Sequence, residues 1–161
     1  LASGDYPLVD RVLHRACRLP AGFGPQGLSN LAWACAALPA AEHPAVPVWR
    51  AQARCRMGEF AMQGLSSVAW ALAALPERGG GRGALAALKE EFAARLPRLG
   101  CGGAAPARGA REARDALGVV WALQRCGLLD ASLALLAERA VRRVGRAMDS
   151  AAAAGRRRDA T

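Results

Sequence analysis

The chain has 161 residues, 53% of them apolar but only eight aromatic, so a single core must rest on Ala, Leu and Val. Its formal net charge is +9, and arginine carries nearly all of the positive charge because Lys89 is the one lysine. Such a balance favours polyanionic partners, nucleic acid before an anionic membrane. Five cysteines, at 17, 35, 55, 101 and 126, form no CxxC pair, which argues against a disulfide framework or a zinc site and for free buried thiols in a reducing compartment. No apolar run reaches the roughly 18 residues of a spanning helix, so membrane insertion is not expected.

Taken in order, the chain reads as all-α, with no alternating β-branched run that would make a strand. It begins at Leu1, as a trimmed product would, and no targeting peptide is visible. A first helix is expected over 7–19, then a break at Pro20-Ala21-Gly22 and a second helix over 25–38 closed by Pro39. Phe23 just ahead of Gly24-Pro25 suits a stapled helix start, since proline is tolerated in the first turn. The pattern then returns: a helix over 44–57, a break at Gly58-Glu59, and a helix over 61–75 ending at Pro76. PERGGGRG (76–83) reads as a flexible loop, 84–96 as a helix, and 97–110 as a second Gly/Pro-rich loop. Helices over 111–126, stopped by Gly127, and over 130–148 complete the set, and the basic tail 151–161 is expected to fray.

The return is an internal repeat. QGLSNLAWACAALP (26–39) recurs as QGLSSVAWALAALP (63–76), 37 residues on, and Tyr6-Pro7-Leu8-Val9, Ala16 and Phe23 map onto His43-Pro44-Ala45-Val46, Ala53 and Phe60. Two units follow, about 6–42 and 43–79, with a degenerate third over about 84–148 centred on ALGVVWALQRCG, all within one repeat domain over 1–150. A period of this size is the mark of stacked helix pairs, so the expected fold is a short α-solenoid of antiparallel pairs with about seven helices. Two regular units bury little alone, so a longer array or a partner is expected.

At about 100° per residue, Leu28, Leu31, Ala32, Cys35 and Leu38 fall on one face of the second helix, and Gln26, Asn30, Trp33 and Ala37 on the other. The second copy puts Gln63, Ser67, Trp70 and Ala74 on that other face, and the third Arg114, Gly118, Trp121 and Arg125. The constant tryptophan is expected as a spacer between repeats; the competing reading is a stacking surface for unpaired bases. Its neighbours Gln26, Asn30, Gln63, Ser67, Arg114 and Arg125 are the candidate base readers, because amides and guanidinium groups match donor and acceptor edges. Arg139, Arg142, Arg143 and Arg146 on the last helix, with Arg156, Arg157 and Arg158 in the tail, are the candidate phosphate contacts. Arg11, Arg15 and Arg18, and Arg50, Arg54 and Arg56, form smaller basic groups. No catalytic residue, metal ligand or cofactor is expected: His14 and His43 lack a partner at a diagnostic spacing, GGGRG precedes no Lys-Ser/Thr pair, and Glu90-Glu91 read as a solvated helix face.

The string F-x-x-Q-G-L-S-N/S-x-A-W-A-x-A-A-L (23–38 and 60–75) resembles the repeats of the octotricopeptide and heptatricopeptide families, helical-repeat RNA-binding proteins of organelles. The resemblance implies α-hairpin repeats, single-stranded or ribosomal RNA as ligand, and an organellar setting, mitochondrial in preference to plastid, within a larger ribonucleoprotein. It carries Gln26, Asn30, Gln63 and Ser67 over as motif polar positions; the third unit lacks the Phe, Gln-Gly and Leu-Ser, which weakens the transfer to Arg114 and Arg125. No nuclease-like segment follows, so the expected role is non-enzymatic RNA binding with other proteins and no small-molecule substrate. The alternative is a protein–protein scaffold of an organellar complex.

Overall fold

The computed structural model describes residues 7–18, 22–38, 40–75, 81–101 and 106–158. Among them are seven α-helices and no strand: α1 Pro7–Arg18, α2 Pro25–Ala37, α3 Ala45–Cys55, α4 Met62–Ala74, α5 Gly81–Arg95, α6 Pro106–Arg125 and α7 Ala131–Arg158, with single 3-10 turns at Met57–Glu59 and Leu96–Arg98. Pro39, most of the Pro20–Gly22 break and 76–80 lie outside the described residues.

The sequence repeat is repeated geometry. α2 and α4 have equal length at an offset of 37, and each ends on an extended leucine, Leu38 or Leu75, whose N–H bonds back to Ala34 or Ala71. Gly27 and Gly64 each let a phenylalanine, Phe23 or Phe60, fold over the first turn; a Cβ there would lie 3.1 Å from the ring in both copies. Among the helices, α2 packs on α4 and α4 on α6, while α1 packs on α3 and α3 on α5; α2 also meets α3, and α4 meets α5. α7 departs from this order and rests on α6 and the 96–98 turn.

Small residues set the spacing of the even helices. Leu65, Val68, Ala69, Ala71 and Leu72 of α4 are buried, joined from α2 by Leu28, Leu31, Ala32 and Cys35 and from α6 by Ala116, Val119, Ala122 and Leu123. Trp49, Phe60 and Phe92 are the largest apolar fillers; removing such a ring costs about 3–5 kcal/mol in transfer and cavity terms.

Three boundaries differ from expectation. α5 begins at Gly81, inside the expected loop, and α6 begins at Pro106, where proline suits the first turn. α7 runs on to Arg158 rather than fraying at 151, because Ala151–Ala154 is a strong helix-forming run and the arginines after it suit the negative end of the helix dipole. Gly127 stops α6 as expected: its φ is +68°, and the Gly127 and Leu128 N–H groups bond the carbonyls of Gln124 and Leu123. Gly100, at φ +75°, lets the chain pass Val144, whose methyl would stand 2.7 Å from a Cβ. The thiols also differ, since only Cys35 is buried while Cys55 and Cys101 are exposed.

Candidate nucleic-acid interface

α2, α4 and α6 present the tryptophan face to solvent. Trp33 is 55% exposed and Trp121 47% exposed, and Trp70 is half-buried. The Trp33 and Trp70 rings stack on each other, centroids 6.5 Å apart and planes at 29°. Trp33 thus touches its repeat neighbour with part of its surface, as a spacer does, and leaves more than half of it to solvent. Arg125 lies beside Trp121, its guanidinium 5.9 Å from the ring centroid, and its Nε–H points at the Ala73 carbonyl at 3.4 Å. That contact ties the end of α6 to the end of α4.

The polar neighbours occupy the same face. Gln26 is exposed and donates from Nε2 to Asn30 Oδ1 at 3.0 Å, which leaves the side-chain oxygen Oε1 of Gln26 and the side-chain N–H groups of Asn30 to outside partners. Ser67 is half-buried and Gln63 and Arg114 are exposed. Gln63 and Arg114 meet in one open cleft of about 430 Å³, shared with Arg108, Arg111, Glu112 and Asp115. An adjoining cleft of about 270 Å³ continues past Arg108 to Arg95 and Arg98. Arg108 is paired with Glu112 at 2.9 Å. Burial raises the Asp115 carboxyl above the usual aspartate value, against the opposing pull of Arg114.

Arg108, Arg111 and Asp115 were not among the residues singled out by pattern. The signal that locates them is Pro106: a helix starting there puts 108, 111 and 115 one turn apart along one side.

The α7 arginines divide. Arg139, Arg146, Arg156 and Arg157 are exposed, and Arg142 pairs with Glu138 at 2.6 Å; the side chain of Arg158 lies outside the described residues. Arg143 is half-buried and donates to the carbonyls of Leu99 (2.9 Å), Leu96 (2.8 Å) and Pro97 (3.1 Å), so its donors serve the fold. Two others behave alike: Arg56 donates to the Phe23 carbonyl while paired with Glu59, and Arg95 donates to the Phe60 and Gly58 carbonyls while paired with Glu91. Of the expected basic group of the third helix, Arg50 is 2% exposed with its guanidinium against Gly81, Arg56 is half-buried and Arg54 is exposed.

The histidines do have a carboxylate neighbour. Asp10 reaches His14 Nε2 at 3.5 Å and His43 Nε2 at 3.4 Å, and the two rings meet edge-on at 4.9 Å. The ligand atoms lie close enough for a metal ion. The chemistry of His43 opposes one: its Nδ1 accepts the Ala45 N–H at 3.0 Å, so the neutral ring carries its proton on Nε2, the atom facing Asp10. The trio ties α1 to the start of α3 instead. Cys35, whose thiol burial pushes up to about 11, is held protonated and unreactive.

No family model, curated protein or solved structure matches this chain.

Proposed function

We propose that the chain is a non-enzymatic, helical-repeat RNA-binding protein that holds single-stranded RNA across the face of α2, α4 and α6. The observation that carries the reading is one tryptophan per signature helix, exposed at Trp33 and Trp121 and half-buried at Trp70, on a face shared with Gln26, Asn30 and Gln63, of which Gln63 lines an arginine-rich cleft. Bases stack on indole faces regardless of identity, Gln26, Asn30, Gln63 and Ser67 lie within reach of base edges, and Arg108, Arg111 and Arg114 attract phosphate. The packing order of the helices fits a short solenoid of antiparallel pairs, in which successive signature helices line one surface. Two regular units and a degenerate one cover few bases, so a fixed place in an organellar ribonucleoprotein such as a ribosome suits this chain better than free search for a target.

The test is fluorescence anisotropy with a labelled 12-nucleotide single-stranded RNA across a salt series. Binding is expected to fall steeply with salt, and Trp33→Ala or Trp121→Ala to weaken it by about 1–3 kcal/mol each, the usual worth of one stacked base. Affinity unchanged from the parent chain in both tryptophan variants, or no binding in moderate salt, would remove the RNA reading and leave the protein scaffold.

A further inference from the structure

The outer side of α1 is open where the same side of α3 is covered. At the offset of 37, Leu8 and Val12 correspond to Ala45 and Trp49. Ala45 and Trp49 are fully buried, whereas Leu8 is 73% and Val12 47% exposed. On α3 helical spacing turns the two positions away from Arg50 and Arg54, which sit against Gly81 and Gly83 of α5. The strip Leu8, Arg11, Val12, Arg15 is thus a helix-packing surface that meets no helix among the described residues.

Its charge selects the occupant. Arg11 and Arg15 stand where α3 has the neutral Val48 and Gln52, and with His14 and Arg18 they line a pocket of about 330 Å³. A second copy offering its own α1 or its arginine-rich α7 would set like charges face to face. A phosphate backbone would satisfy the arginines yet give Leu8 and Val12 nothing apolar to meet. We propose that the outer side of α1 docks an acidic amphipathic helix of a partner protein, with its apolar stripe on Leu8 and Val12 and its carboxylates on Arg11, Arg15 and Arg18. This is helix-in-groove recognition, with apolar anchors for affinity and charge for orientation. It is independent of the RNA face, which lies on the even helices.

The probe is a lactam-bridged helical peptide with leucines at i, i+3, i+4 and i+7 and glutamates flanking them, titrated into the full chain. Saturable micromolar binding is expected, weakened about tenfold or more by Leu8→Asp with Val12→Asp. Both residues are exposed, so circular dichroism should show these variants folded. Arg11→Glu with Arg15→Glu should abolish binding, and a peptide with lysines in place of glutamates should restore it to that variant. A scrambled peptide of equal charge binding as well, or no saturable binding, would overturn the proposal. So would an oligo(U) RNA that displaces the peptide and is indifferent to Leu8→Asp, which would assign the surface to nucleic acid. RNA binding that survives these substitutions and fails in Trp121→Ala keeps the two readings separate.

Discussion

The two signature glycines occupy the same place in their units and tolerate change differently. Alanine in a helix is favoured over glycine by up to about 1 kcal/mol, and at both sites the new methyl would press on a phenylalanine ring 3.1 Å away. An arginine holds the carbonyl of each phenylalanine, so burial makes the difference: Phe23 is half-buried and its ring can yield, while Phe60 is 2% exposed. Gly27→Ala should therefore change stability by no more than about 0.5 kcal/mol, while Gly64→Ala should cost about 1–3 kcal/mol as an overpacked core does. Urea unfolding of the two variants decides this, and equal effects would refute it. Asp115 gives a second prediction at the same scale. It is the carboxylate that burial holds partly against ionisation inside an arginine cleft. Asp115→Asn should strengthen RNA binding about two- to fivefold at low salt by removing a like charge near phosphate. In the parent chain, binding should strengthen as pH falls through the Asp115 pKa, a trend the Asn variant loses.

Among elements, α7 is held by contacts that pattern reading could not assign. Asp130 accepts the Leu133 N–H at 2.8 Å and pairs with Lys89 at 2.7 Å, and the lysine, followed by the helix amide, lowers its carboxyl to about 2. Because the folded value lies below the ordinary one, this stabilisation is complete above the usual aspartate pKa and is lost as pH falls toward about 2. Asp130→Asn should lower Tm at neutral pH and flatten its acid dependence in that window, as followed by circular dichroism. Arg143 separates fold from ligand. Its forked donors on three carbonyls cannot be matched by lysine, so Arg143→Lys should cost about 1–3 kcal/mol of stability and leave RNA affinity unchanged. The helix-level pattern was largely legible: equal periods fixed α2 and α4 to within a residue, and Gly127 marked the end of α6. The arginine contacts were not, because Arg56 and Arg95 serve equivalent carbonyls at a separation of 39, not 37, and no alignment on the repeat superposes them. Nor was the cleft, since Pro106 among its glycines reads as loop in the sequence and opens a helix in the structure.

For the whole molecule, what matters is how the charge of +9 is distributed over the surface. Arg56, Arg95 and Arg143 are bound to backbone carbonyls and Arg50 is held inside; the cleft, the outer side of α1 and the far end of α7 are three of the charged surfaces that remain. The three should respond differently to salt. Arginines that touch phosphate release counterions, and for single-stranded nucleic acid each contributes about 0.7 to the slope of log affinity against log salt. Arg156 and Arg157 sit on the exposed last turns of α7, where little packs against them. Replacing both with glutamine should leave Tm unchanged. If the end of α7 follows the RNA backbone, the slope should drop by about 1.4 with base preference and tryptophan sensitivity intact. The matching change at Arg111 and Arg114 should lower the slope and also alter which base is preferred near Gln63, because that cleft joins phosphate attraction to an amide. Identical effects from the two pairs would mean that the field acts only as a diffuse attraction and that the even-helix face has no privileged path for RNA.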